Sequence, residues 1–470
     1  MRSASDAVRD GGSRVVSFFI SRKLSDRRQA SEILHTLGAG IARLHPDAQA
    51  TILDALKSDD RLTQLALCTQ VEKLLLNPLR AVCGSNSPLK ICLLIDALDE
   101  CEDLDELGGP DFLGAILQTI INLNNCHVKL VVSSRPELAI RNCFTSAVGE
   151  VADCLTKEIK LHEIDIDTVQ MDIQKFLSHH FAALAKRMRI STPWPRSSDF
   201  NLIVERANGL FVYAATVVGF IQDRRFSPTE RLRELLETAT PRNPYDPSPY
   251  VQLDQLYCDI LQHFLGPDNQ SPDSTLCIRV RLVLAAILYS FEALPIGTLS
   301  AFLGLRPAEI QAIVDGLAAF IVLNLHPEPT PAAHASVVDF LADPTRCRDP
   351  RFQLTSQSAH ACIALRCLAV MRAALVTVEA PFDEPHQVPC LSEAMTDHLQ
   401  FLEVQYACRQ WHRHLLFVTF PMSSELQKLL VDFCEKRLLL WARAMCASGL
   451  YHDFRHSLHS ISLWSQVRGL

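Results

Sequence analysis

The dipeptide Gly-Lys occurs nowhere in this sequence of 470 residues. That excludes the loop G-x-x-x-x-G-K-[ST], whose backbone amides and lysine cradle the phosphates of a bound nucleotide. Glycine itself is scarce, at 17 residues, while leucine and alanine recur throughout, which favours helix over an all-β architecture. None of the 16 cysteines belongs to a C-x-x-C pair. Scattered through apolar contexts, as at Cys92, Cys258, Cys362 and Cys367, they read as reduced, buried thiols of a cytoplasmic protein, not as a disulfide framework. The longest apolar stretch, residues 209–221, has 13 residues and is too short to span a bilayer. The polar, charged N-terminus does not read as a signal peptide. An excess of positive charge is also missing: the net charge is −8. This argues against a nucleic-acid-binding surface spread over the chain, and nothing calls for a membrane partner. No repeat of fixed period and no low-complexity tract is present.

What is there is apolar and ordered. The hydrophobic fraction of 48% is ample for packed cores. The length suggests about three domains. Residues 1–14 are polar and read as disordered. Strands are predicted at 15–20, 90–96, 128–134 and 158–164, and helices between them at 26–44, 62–82 and 112–123. Strands alternating with helices at this spacing indicate a parallel sheet wrapped by helices. Beyond residue 167 the alternation stops. Helices are predicted at 168–188, 198–221, 229–238 and 253–264, with the Pro-rich segment 241–249 as a stiff linker. Residues 276–345 read as three helices and a short strand pair, the order of a winged-helix module. The rest reads as helix at 354–376, 393–415 and 423–470. The fold class expected is α/β followed by mostly α. Its parts are a partial nucleotide-binding core at 15–165, a helical domain at 166–265, a winged-helix domain at 273–350 and a C-terminal helical region at 351–470.

The run Ile91-Cys92-Leu93-Leu94-Ile95-Asp96-Ala97-Leu98-Asp99-Glu100-Cys101 ends a buried strand on three carboxylates within five positions. Carboxylates so placed bind a hydrated Mg²⁺ and orient water in nucleoside triphosphatases. Asp96 is then the Mg²⁺ ligand, and Asp99 or Glu100 polarises the attacking water. The same residues also fit a strand followed by a solvated acidic turn, because Glu102, Asp103, Asp105 and Glu106 continue the charge. Arg135, leaving the next strand after Ser133-Ser134, would face the same sheet edge and sense a γ-phosphate. Its plain reading is a surface arginine before a strand-ending proline.

At this point the chain resembles a family. Phe18-Phe19-Ile20-Ser21-Arg22, the acidic run at 93–101 and Leu130-Val131-Val132-Ser133-Ser134-Arg135-Pro136-Glu137 look like successive landmarks of fungal NACHT-domain proteins, signal-transduction NTPases related to NOD-like receptors. Downstream, Asn208-Gly209-Leu210-Phe211 looks like their helical domain. Leu294-Pro295-Ile296 and His334-Ala335-Ser336 look like their winged-helix part, and Cys408-Arg409-Gln410-Trp411 like the helical segment that precedes repeats. The resemblance covers residues 15–415. It implies Mg²⁺ with ATP or ADP as cofactors in relatives, and protein partners through self-association or a signalling adaptor. It also implies that His334 reaches the β-phosphate of ADP, a role to be weighed against that of a packed histidine beside an Ala-Ser turn. The family's sheet order is 5-1-4-3-2, with the phosphate loop after strand 1. Residues 15–20 then correspond to strand 2, and strand 1 with its loop and helix has no counterpart in this sequence. The loss would leave a groove beside the strand at 128–134.

Three readings follow. In the first, the chain is a degenerate NACHT signalling protein with little or no ATP hydrolysis. In the second, it is a working NTPase switch whose start is misassigned. In the third, it is a helical scaffold without a nucleotide role. Two weaker constellations complete the inventory. His452, His456 and His459 stand at zinc-like spacing beside Asp453, or else form a polar helix face. No sequence feature brings a Cys-His dyad together.

Overall fold

The computed structural model describes residues 2–21, 29–59, 61–84, 89–101, 109–123, 127–135, 140–144, 157–191, 193–223, 225–238, 250–266, 268–269, 271–324, 328–375, 399–419, 422–450 and, near the C-terminus, 454–455, 457–458 and 461. The chain forms two compact units, Met1–Lys160 and Leu161–Leu470.

The first unit is built on a three-stranded parallel sheet in the order β1-β2-β3: β1 Arg14–Phe19, β2 Ile91–Asp96 and β3 Val128–Val132. β2 is buried from Ile91 to Ile95 on both faces, which is what an uninterrupted apolar run predicts for the central strand of a parallel sheet. Burying each of its Leu and Ile side chains contributes about 1.5–3 kcal/mol. β3 alternates instead: Val128 is buried while Lys129 and Val131 are exposed. Among the described residues β3 has β2 as its one strand neighbour. The helices are α1 Arg2–Asp10, α2 Ala30–Ala42, α3 Pro46–Ser58, α4 Leu67–Val71, α5 Asn77–Gly84 and α6 Gly109–Asn122. Ile33, Leu34, Leu37 and Ile41 of α2 recur at helical spacing and bury completely against Val16 and Phe18. Gly40 is needed there, since a Cβ at this position would lie 2.3 Å from Val16 Cγ1.

Several expectations change. Residues 2–10, expected to be disordered, form α1. The helix α3 was not anticipated, although Pro46 stands at its first turn and His45 Nδ1 accepts from the Asp47 amide at 3.2 Å. The strand expected at 158–164 does not form; one 3₁₀ turn, Leu161–Glu163, stands there instead. The run's apolar residues Ile159, Leu161 and Ile164 are 65%, 77% and 40% exposed, so alternation without a buried face gave no strand.

The second unit is helical: α7 Ile166–Met188, α8 Ser197–Ala207, α9 Phe211–Ile221, α10 Pro228–Thr238 and α11 Val251–Leu265, then α12 Thr275–Tyr289, α13 Ile296–Leu303, α14 Pro307–Gly316, the hairpin β4 Ile321–Asn324 and β5 Thr330–Ala333, and α15 Ala335–Ala342, α16 Ser356–Ala374, α17 Leu402–Leu416, α18 Ser424–Lys436 and α19 Leu438–Ala447. One continuous apolar core runs through them from Ile173 to Met445. The single helix predicted at 198–221 is two, because Asn208 (φ 44°) and Gly209 (φ 77°) both take the left-handed conformation that ends α8. Cys362 is exposed, not buried, because the inward face of α16 carries Ala359, Ile363 and Cys367. All 13 described cysteines are free thiols. Arg22, Pro136, Glu137, the segment 241–249 and His452, His456 and His459 lie outside the described residues. No helix among the described residues is long and apolar enough to cross a membrane.

Candidate functional site

The carboxyl ends of β2 and β3 lie side by side, and three of the residues singled out in the sequence meet there. The parallel register pairs Ile95 with Val132, so the next step sets Asp96 beside Ser133. Ser133 Oγ donates to Asp96 Oδ1 and accepts from the Ala97 amide at 3.0 Å. The Ser133 amide donates to the Ile95 carbonyl at 3.0 Å, and the Leu98 amide to the Ser133 carbonyl at 2.9 Å. Ala97 takes a left-handed conformation (φ 58°, ψ 51°), which turns the chain off the strand into a 3₁₀ turn, Leu98–Glu100. A non-glycine residue held at positive φ carries strain that the surrounding bonds sustain. Leu98 at this turn is fully buried, Cys101 nearly so, and both anchor it to the core.

The same turn brings Asp99 to the other strand end. Asp99 Oδ1 accepts from the Arg135 amide at 3.1 Å, and Asp99 Oδ2 lies 3.7 Å from Arg135 Nε. The Asp99 side chain is 12% exposed and that of Arg135 52%. The arginine expected at this edge is thus present, and its guanidinium rests on Asp99. Glu100 follows on the 3₁₀ turn, its amide donating to the Ala97 carbonyl at 2.9 Å.

His334 belongs to the second unit, where it is the N-cap of α15. Its Nδ1 accepts from the Ser336 amide at 3.2 Å and lies 2.7 Å from Ser336 Oγ, which in turn meets the Tyr257 hydroxyl at 2.8 Å. An N-cap of this kind satisfies an otherwise orphaned amide of the first helical turn.

The donors at the strand end are hard oxygens, the type that suits Mg²⁺. Among the described residues no three His, Cys, Asp or Glu side chains converge on one point. A cation at Asp96 would therefore keep most of its shell as water, as Mg²⁺ commonly does. Phosphate is less well served, with no Gly-Lys in the sequence and with Arg135 already against Asp99. In the sequence Ser133 reads only as a strand end. Its role follows from the register, since the residue one past the last β2–β3 pair must stand beside Asp96.

Residues 1–135 match the family model described as nephrocystin 3, N-terminal. The match takes in β1, β2 and β3 and stops at Arg135, the residue that closes the Asp99 pair. No curated protein matches the chain. Over this first unit, then, the chain is similar to the N-terminal region of nephrocystin 3.

Proposed function

We propose that the chain is a NACHT-type, nucleotide-dependent signalling or interaction protein that hydrolyses little or no ATP. The observation that carries this reading is the meeting of Asp96, Ser133, Asp99 and Arg135 at the carboxyl ends of two neighbouring parallel strands. Ligand sites of open α/β sheets form at this end of the strands. In this reading Asp96, held by Ser133, carries a hydrated Mg²⁺. Asp99 or Glu100 orients water, and Arg135 leaves Asp99 for a γ-phosphate. The ligand class is a purine nucleoside di- or triphosphate with Mg²⁺, and the output is a protein contact, by self-association or through an adaptor. A phosphate cradle supplies several charge-assisted hydrogen bonds of about 1.5–3 kcal/mol each. Without it, binding falls by tenfold for every ~1.4 kcal/mol lost.

The test is to graft a strand, phosphate loop and helix from a NACHT protein ahead of Val15 and follow Mg²⁺-dependent ATP turnover. Turnover should appear in the graft and collapse in its Asp96→Asn variant, while ADP binding persists. A folded graft whose turnover is indifferent to Asp96→Asn contradicts the role assigned to Asp96.

A further inference from the structure

The side of β3 turned away from β2 is a strand edge that complements itself. The Ile91 amide donates to the His127 carbonyl at 2.8 Å, and the Ser133 amide to the Ile95 carbonyl at 3.0 Å. Successive residues of a strand point their backbone groups to alternate sides. Lys129 and Val131 therefore turn theirs toward β2, and Val128, Leu130 and Val132 turn theirs away. Among the described residues β2 is the one strand beside β3, and no backbone bond is made on the far side. A row of N–H and C=O groups left so is a template for another strand.

The side chains fit that use. Val128, Leu130 and Val132 lie on the face that joins the apolar core with Leu93 and Ile95. Lys129 and Val131 lie on the other face, both exposed, Val131 by 38%. Apart from Lys129 the strand is apolar and largely β-branched, a composition that favours strand pairing. Charge decides how a partner can run. The amino ends of β1, β2 and β3 carry exposed Arg14, Lys90 and Lys129. The carboxyl ends carry Asp96, Asp99 and Glu100, with Arg135 beside Asp99. A second copy laid antiparallel brings its basic end along the acidic end of the first, and the reverse. Laid parallel, it sets like ends together.

We propose that β3 is a self-association edge: the β3 strands of two copies pair antiparallel about a two-fold axis at Leu130 and join the two sheets into one. In this register Val128 exchanges its backbone bonds with Val132 of the second copy, and Leu130 with its own equivalent. Each outward residue thus finds a partner within β3. The two Lys129 side chains stay apart, each opposite Val131 of the other copy. The pairing requires no nucleotide, so it stands or falls apart from the reading of the strand-end site.

Sedimentation velocity of the full chain without nucleotide, from low to high micromolar concentration, tests this. A strand pairing of this size makes a weak dimer, so the sedimentation coefficient should rise with concentration toward that of a dimer. Val131→Lys sets an ammonium opposite Lys129 of the second copy, twice over by symmetry, and should weaken the dimer about fivefold. Val131→Glu sets a carboxylate there instead and should strengthen it by about as much. A chain that stays monomeric overturns the proposal, as does growth beyond the dimer, because the two-fold pairing uses up the edge. A dimer that both variants leave unchanged, or that both weaken, overturns it by placing the contact elsewhere or in another register. Should Val131→Lys fail to fold, a dimer that Val131→Glu does not strengthen overturns it equally.

Discussion

The two units handle charge in opposite ways. In the first, the charged groups of interest sit at a strand end: Arg135 is half exposed, and its described contact with Asp99 is a 3.7 Å approach plus one backbone bond. In the second, charge is taken into the core. The Arg231 side chain is 2% exposed and clamped between Phe226 at 3.8 Å and Phe220 at 4.4 Å, with Glu234 at 2.8 Å and Asp223 at 3.2 Å. An exposed pair contributes little to stability and is free to exchange partners. A buried one is fixed, because breaking it leaves an uncompensated charge. The first arrangement suits a group that must leave its partner for a ligand, and the second suits packing. The comparison also explains why a pocketful of charge is a poor guide to function in this chain: the denser cluster is the structural one.

The sharpest way to break this contrast is to remove each arginine in turn. Arg231→Ala should destabilise the second unit by about 1–3 kcal/mol, because its packing against Phe220 and Phe226 is lost while Asp223 keeps Arg225 and Glu234 keeps His263. A urea titration that shows less than 1 kcal/mol on that unit would make the two sites alike. A subtler effect is expected at His263, whose Nδ1 lies 2.8 Å from Glu234 in the same cluster. Burial pushes this imidazole below its ordinary value, and the Arg231 charge adds to the shift against the pull of Glu234. A histidine depressed in the folded state stabilises the fold above the unfolded pKa of about 6.5 and loses that contribution as pH falls toward the folded value. His263→Asn should therefore flatten the stability profile of the second unit below about pH 6.5. An unaltered slope in thermal unfolding would remove His263 from the account. The smallest effect belongs to the first unit. Arg135→Ala should change its stability by less than about 1 kcal/mol, as for other exposed pairs, and a larger loss would show that Arg135 is a structural residue.

How much of this was legible follows the same divide. β1, β2 and β3 were readable because a buried parallel strand is an apolar run, and the landmarks at 91–101 and 130–135 were readable because charge at a strand end stands out. The helices of the second unit announced themselves by period. What was not legible depended on contacts distant in sequence. The run 158–164 has strand composition but no buried face to make it one, and α3 buries only Ala48 and Ile52 and has only a His-Pro start to mark it. Ser133 became visible only with the register, and a buried contact such as that of His360 with His414 joins residues 54 positions apart. The roles proposed for Asp96, Asp99, Glu100, Arg135 and His334 rest on the chemistry of their side chains.

In the proposed reading these 470 residues hold the acidic half of a nucleotide site without the Gly-Lys phosphate loop. Isothermal calorimetry of the purified chain with Mg-ATP and Mg-ADP tests it most directly. No binding in the micromolar range is expected for either nucleotide. Micromolar Mg-ATP binding that is weakened by Asp96→Asn would contradict it, and would show that other residues of this chain cradle the phosphates.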